Sequence, residues 1–311
     1  MDRATDSASS TTALGNLALA CLAATERDPG IGIDDPISRR LLRPGDGSVA
    51  AARLQLLHPL LRVVTNRLIP GIYGYALART RHMDQVLRKE LAAGIDSLVI
   101  LGAGYDTRPY RMRSELAEVL VFEVDHPATS RDKRRRLAIA MDAAPPSNIT
   151  FIEADLAEQD LLDRLDQHGH DQSMKTLFLL SGVSMYLSSE AMAALFDQVS
   201  NQADGLSSLL FDYLLAEALV EPDRYFGKEW LARAARAGEA PKWGIPTGEA
   251  DVLLQSHGLG LVSNLDADEL AARYLQRADG SIVARPFAFG AVAQARGRKP
   301  QRRLDEPAPT P

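Results

Sequence analysis

Gly102 and Gly104 close the apolar run Leu98-Val99-Ile100-Leu101, and Asp125 closes the next one, Leu120-Val121-Phe122-Glu123-Val124. Apolar runs of this length fit strands buried in a parallel sheet, and glycine at the exit lets the chain turn sharply while a ligand approaches the backbone. A carboxylate at the end of the second strand can accept two hydrogen bonds from a ribose diol. The two strand ends predict a nucleoside-binding crossover; the glycines alone would also serve a plain strand-to-helix turn.

The residues after the glycines decide which nucleoside fits. A dinucleotide fingerprint needs a third glycine, so that a helix starts close by and holds a pyrophosphate on its N-terminal amides. Here Thr107 takes that place and Asp106 precedes it, which sets a carboxylate against any phosphate. A ligand without phosphate and with a cationic, amine-bearing end suits the loop better, and S-adenosylmethionine has that chemistry. Two further strand ends extend the constellation. In Glu153-Ala154-Asp155-Leu156, Asp155 could accept from an adenine amino group while Leu156 covers the ring. Ser181 opens the segment Ser181–Leu187, the floor nearest a transferable methyl. Asp155 and Ser188 are equally suited to capping helices.

An alternation of strands and helices would position these residues. Strands are expected at Leu98–Gly102, Leu120–Asp125, Ile149–Ala154, Thr176–Leu180 and Ser207–Tyr213, with helices near Thr107–Leu116, Pro127–Ala143, Leu156–His168 and Ser188–Ala203. This βαβα order implies a parallel sheet with helices on both faces and a ligand crevice at the strand C-termini. Residues 13–94 read as a helical cap whose last helix, Tyr75–Ala93, stops at Gly94. The segment Pro222–Trp243 breaks the alternation with a partly basic helical insertion near 220–245, a candidate lid. Late strands at Leu259–Leu265 and Phe287–Ala293 bring the count to seven, with a hairpin-like final pair. That predicts an α/β fold with a Rossmann-like seven-stranded sheet, the class I methyltransferase layout, spanning 95–295. The polar ends, 1–12 and 296–311, read as disordered tails.

Composition narrows the classes. A net charge of −6 with mixed signs gives no electrostatic footprint for nucleic acid. The basic cluster Arg131–Arg136 reads as a solvated helix face. Cys21 is the single cysteine, which excludes an internal disulfide and a cysteine zinc site. No apolar stretch is long enough to span a bilayer and no export signal stands at the start. The expectation is a cytoplasmic protein with a small-molecule substrate, no nucleic acid, no membrane and no metal.

The segments Gly102-Ala103-Gly104-Tyr105-Asp106-Thr107-Arg108-Pro109-Tyr110-Arg111, Phe122-Glu123-Val124-Asp125-His126-Pro127, Asp155-Leu156 and Met185-Tyr186-Leu187 together resemble the leucine carboxyl methyltransferase family. Its bacterial branch includes enzymes that methylate carboxylates or hydroxyls of polyketides. Asp35-Pro36 and Arg79-Thr80-Arg81 resemble family positions as well, and the likeness runs from Ala13 to Ala293. It implies that Arg79 pairs with the S-adenosylmethionine carboxylate. Gly102, Ala103 and Gly104 would line the methionyl end, and Asp125, Asp155 and Leu156 would hold ribose and adenine. Without the resemblance Arg79 reads as a surface arginine. Two departures stand out. The family usually has Glu where this chain has Ser181, and a basic residue in its first helix, where Leu17–Ala24 has none. Losing a carboxylate beside the cofactor ammonium removes a bond worth about 1.5–3 kcal/mol when desolvated.

For the methyl acceptor the candidates are Tyr73, Arg81, Tyr186, Tyr213 and Trp243, each of which also fits packing or a solvated face. Nothing in the sequence marks a catalytic partner for His58, His82 or His126, and His168-Gly169-His170 lacks further metal ligands nearby in sequence. No catalytic base is identified. The reading is an S-adenosylmethionine-dependent O-methyltransferase acting on a carboxylate or hydroxyl of a polyketide-like natural product. The rivals are a protein of the same fold that binds this cofactor for other chemistry, as a cyclase or regulator, and a nicotinamide-dependent oxidoreductase.

Overall fold

A computed structural model describes residues 10–26, 28, 30–141, 145–156, 161–202, 207–225, 231–232, 235 and 239–297. Seven strands form one sheet in the order β3-β2-β1-β4-β5-β7-β6, namely β1 Ser97–Leu101, β2 Leu120–Asp125, β3 Ile149–Glu153, β4 Thr176–Leu180, β5 Ser208–Leu214, β6 Leu259–Leu265 and β7 Gly290–Gly297. β1 to β5 run parallel, and β7 inserts antiparallel between β5 and β6. The central strands β1 and β4 are buried at every position, as a strand covered on both faces requires. The chain order reverses between β1 and β4, so the crevice opens at the C-terminal ends of these strands.

Helices cover both faces. Before the sheet come α1 (Thr11–Ala23), α2 (Ser38–Leu41), α3 (His58–Leu68) and α4 (Ile72–Ala92). α5 (Arg108–Arg111) follows β1, α6 (Pro127–Ala140) follows β2, α7 (Leu161–Gln167) follows β3 and α8 (Ser189–Ser200) follows β4; α9 (Ala216–Val220), α10 (Ala250–Ser256) and α11 (Ala267–Tyr274) follow in the later part of the described chain. α4 buries Tyr75, Arg79, Met83, Val86 and Leu87, one face of a helix, against the sheet. Ser188 caps α8 by accepting from the Ala191 N–H at 3.2 Å.

Several boundaries differ from the sequence expectation. α1 starts at Thr11, because Ser10 caps it by accepting from the Ala13 N–H at 3.1 Å, so residues 10–12 belong to the cap and not to a tail. The last strand lies later than expected, at Gly290–Gly297, because Phe287 and Phe289 stack on each other and Phe287 stacks on Tyr75 ahead of it. Arg296 lies in that strand and pairs with Glu90 at 2.7 Å. The remaining tail residues, 1–9 and 298–311, and much of the candidate lid lie outside the described residues. α5 has four residues where ten were expected; Arg108 and Arg111 both bond Asp84 of α4, which fixes the turn through side chains instead of a longer ladder.

The basic cluster on α6 is also not a solvated face. Lys133 is buried and pairs with Glu123 of β2 at 2.8 Å, while Arg136 is buried and pairs with Asp46 and Asp132. Arg131 and Arg134 remain outside, against Glu153. Charges removed from water need such partners; α6 itself supplies Asp132, one turn from Arg136, while β2 supplies Glu123 and the cap supplies Asp46.

Candidate active site

A cavity of about 380 Å³ opens at the C-terminal ends of β1, β2, β3 and β4. All eight expected cofactor residues line it: Arg79, Gly102, Ala103, Gly104, Asp125, Asp155, Leu156 and Ser181. Gly102 has φ +64°, and a side chain there would stand 2.6 Å from the Val183 Cγ2, so only glycine passes. Gly104 has φ +45°, and its N–H donates to the Asp125 carboxylate. The His126 N–H donates to the other Asp125 oxygen at 2.6 Å. These two bonds aim the carboxylate across the loop and leave each oxygen a further lone pair. Burial pushes the Asp125 carboxyl above its usual value, against the pull of the Gly104 and His126 amides and of Lys133.

Below the glycine loop, Lys133 reaches the Ala103 carbonyl at 3.5 Å while held by Glu123, so the pair on β2 and α6 supports the loop from beneath. Burial raises the Glu123 carboxyl, opposed by Lys133 and Tyr110.

Asp106 corrects one step of the sequence argument. It lines the cavity, but it is paired with Arg108 and accepts the Arg108 N–H at 2.9 Å. Although burial works against its charge, Arg108, Lys133 and Arg111 hold its carboxyl below the usual range. Its charge is therefore balanced and repels a phosphate little. What argues against a pyrophosphate is α5 itself, since a four-residue turn offers little helix dipole or amide array. Thr107, in the place of the third glycine, donates to Asp35 at 2.7 Å and ties the loop to the cap.

At another wall, Arg79 is buried and donates to Asp212 at 2.7 Å. Among the described residues its Nε has no hydrogen-bond partner. Asp212 is wholly buried on β5 and also accepts from Tyr75 Oη at 3.3 Å and from the Gly182 N–H at 2.6 Å. Arg79 is thus not a surface arginine; it is held in the wall by an inner carboxylate. Removing one partner of such a buried pair costs about 3–5 kcal/mol.

The acceptor candidates divide. Tyr186 lines the cavity, hydrogen-bonds Thr12, and has its phenol raised by burial to about 12. The other four are not among the lining residues. Tyr73 donates to Glu26 at 3.0 Å in the cap, and Tyr213 donates to Asn264 at 3.0 Å between strands. Trp243 packs against Phe196 and Phe211, and Arg81 donates to the Gly32 carbonyl at 3.0 Å. Their aromatic or cationic character serves packing and loop closure, which a single sequence does not separate from ligand contact.

Other lining residues escaped the sequence reading. Glu239 accepts from Ser10 Oγ at 2.8 Å, from the Thr12 N–H at 2.9 Å and from Thr12 Oγ1. It fastens the segment leading into Lys242 onto the start of α1, and Asn16, one turn on, also faces the cavity. Nothing in the sequence marks this contact across 227 positions. Asp212 did carry a signal: a carboxylate inside Leu209-Leu210-Phe211-Asp212-Tyr213-Leu214 must find a partner when buried. Among the described residues no cluster of His, Cys, Asp and Glu could hold a metal, and no helix is long and apolar enough to cross a membrane.

Comparison with known proteins adds a lineage. A Bacillus subtilis protein named "Putative S-adenosyl-L-methionine-dependent methyltransferase YktD" is 33% identical over 195 residues, which cover 62% of this chain and 64% of that protein. A Mycolicibacterium vanbaalenii protein of the same description, without the final word, is 33% identical over 215 residues, covering 68% of this chain and 69% of its own length. The chain thus spans about two thirds of the length of these curated relatives. A crystal structure titled as a putative methyltransferase from Thermobifida fusca superimposes with a TM-score of 0.58 at 20% identity, covering 87% of this chain and 98% of that one, and it shares the fold. The sequence profile described as leucine carboxyl methyltransferase matches residues 13–200, more than half of the chain, and the chain belongs to that family.

Proposed function

We propose that this chain is an S-adenosylmethionine-dependent O-methyltransferase acting on a carboxylate or hydroxyl of a small, polyketide-like molecule. The observation that carries the reading is one cavity that both an acidic and a cationic group line. Asp125 offers free lone pairs at one strand end, the buried Arg79 carries an unpartnered Nε in another wall, and the glycine loop lies in the same lining. A nucleoside with an amino-acid tail needs that set, and a dinucleotide would need a phosphate cradle that α5 does not make. The cofactor of the relatives' description fits these residues.

When bound, S-adenosylmethionine supplies an electrophilic methyl group on a sulfonium centre. Arg79 would hold the carboxylate through a charge-assisted bond. Asp125 would accept the ribose hydroxyls, Asp155 the adenine amino group, and Leu156 would cover the ring. Thr12, Tyr186 and Lys242 are left to face the acceptor, and their work is to orient it and exclude water. Tyr186 stays protonated through the neutral range, so it donates a hydrogen bond and does not abstract a proton. A carboxylate acceptor, already an anion, needs no base.

Calorimetric titration with S-adenosylhomocysteine, NAD and NADP tests the cofactor; the expected result is binding of the first alone, and NAD(P) binding would reverse the reading. Labelled S-adenosylmethionine with a panel of carboxylic acids and phenols tests transfer. Ser181, a hydroxyl where the family resemblance implies a carboxylate, favours the rival reading of cofactor binding without methylation. Binding without a labelled product across the panel would support that rival.

A further inference from the structure

Helix α3 turns most of its apolar side chains to water. Of the eleven large hydrophobic side chains exposed among the described residues, six lie between residues 54 and 68: Leu54, Leu56, Leu60, Val63, Val64 and Leu68. Leu56, Leu60, Val64 and Leu68 repeat every fourth residue, with Val63 beside them, so they form one stripe along α3 and the turn before it. Leu56 is 95% exposed. The opposite side of the helix faces inward through a polar anchor: Arg62 pairs with Glu26 at 3.0 Å and donates to the Leu22 carbonyl at 2.8 Å. Leu61 packs against the core beside that anchor, but the stripe from Leu56 to Leu68 points to water, and an exposed apolar stripe of this kind is built to be covered.

The charge around the stripe narrows what covers it. From Gly47 to Met83 the sequence contains no Asp or Glu, in a chain whose net charge is −6. Arg67 is exposed and Arg53 half-buried, and neither makes an ion pair within the described residues. A second copy of the chain meets two obstacles. Two-fold pairing of this stripe would set the Arg53 and Arg67 of one copy against those of the other with no acid from the 47–83 stretch between them. A stable dimer also buries about 800 Å² a side over some twenty residues or more, which one short helix and a turn do not supply. A convex apolar ridge with cations at both ends fits a surface that is flat, apolar beneath and anionic above.

We propose that the α3 ridge docks on an anionic lipid surface, with Leu56, Leu60 and Val64 entering the headgroup region while Arg53 and Arg67 meet lipid phosphates. Among the described residues no helix is long and apolar enough to cross the bilayer, so the contact proposed is at its surface. The sequence reading, which looked for a spanning segment, expected no membrane contact, and the proposal departs from it only at the surface of α3. This proposal is independent of the assigned chemistry.

The test is co-sedimentation of the full chain with sucrose-loaded vesicles, one set of phosphatidylcholine alone and one of equal parts phosphatidylcholine and phosphatidylglycerol. The expected result is pelleting with the second set only, weakened by added salt. The triple variant L56D/L60D/V64D should stay in the supernatant with its circular dichroism and S-adenosylhomocysteine affinity unchanged. Replacing Arg53 and Arg67 by Gln should weaken binding about fivefold each. The proposal is overturned if the wild type ignores both vesicle sets, or if the triple variant pellets like the wild type. It is equally overturned if the chain is a dimer by light scattering that the triple variant dissolves, with no vesicle binding: the partner is then a second copy.

Discussion

At Asp125 burial and hydrogen bonding pull in opposite directions. The cavity raises the carboxyl, while the Gly104 and His126 amides stabilise its anion and aim it. A group held so is poised to accept two more donors, and little else in the cavity can replace it. Asp125→Ala should weaken S-adenosylhomocysteine binding at least about a hundredfold by calorimetry, since each hydrogen bond to a charged group contributes about 1.5–3 kcal/mol. Retention of wild-type affinity would place the ribose elsewhere. Because its carboxyl is raised, affinity should fall with acid at a higher pH than an ordinary aspartate would dictate. Arg79 teaches a different lesson. Its type and place were legible only through family likeness, because the residue that buries it, Asp212, lies 133 positions away and no local pattern links them. Arg81 and Trp243 lie outside the cavity lining for the same reason in reverse: a cation and an aromatic ring serve loops and cores as readily as ligands.

Among the elements, the turn from β1 carries the tightest constraint. Gly102→Ala would place a methyl 2.6 Å from Val183 in a left-handed backbone, costing about 1–3 kcal/mol for the conformation alone. Thermal unfolding should show the loss, and adding Val183→Ala should recover only the steric part; full recovery would show that the backbone there is unstrained. The contact between Glu239 and the start of α1 makes a second, kinetic prediction. Glu239→Ala should speed S-adenosylhomocysteine dissociation about tenfold in a stopped-flow experiment, given bonds of about 1.5–3 kcal/mol to a charged acceptor. An unchanged rate would mean that the cover opens elsewhere. The central strands were readable because burial on both faces leaves near-continuous apolar runs. β7 and α5 were misplaced because their limits are set by contacts from afar: the Tyr75, Phe287 and Phe289 stack for one, Asp84 for the other.

For the whole molecule, stability and acid are linked through the interface of α4 and α11. His82 is buried against Tyr274, its ring nitrogen 2.8 Å from the hydroxyl, and burial with Arg273 and Lys89 nearby lowers it from 6.5 to about 4. The unfolded chain takes up that proton first, so this contribution to stability is intact above pH 6.5 and is lost as pH falls toward 4. Urea unfolding of the wild type should lose stability across that window more steeply than His82→Gln does; equal slopes would remove His82 as the cause. The strand order was foreseeable from the count and the late hairpin, whereas the roof of the cavity was not, since it is assembled from Thr12, Tyr186 and Glu239, far apart in the chain.

That roof divides the molecule's inheritance. Gly102, Asp125 and Asp155 sit on consecutive strand ends, so changing one disturbs the sheet that the others share. The roof residues come from a helix start and a connecting segment with no strand register to protect. Under the proposed function, substrate preference is free to drift there while cofactor affinity stays put. Grafting a relative's residues at 10–12 and 239–242 would then exchange what is methylated, and the enzyme lineage could diversify without redesigning its chemistry.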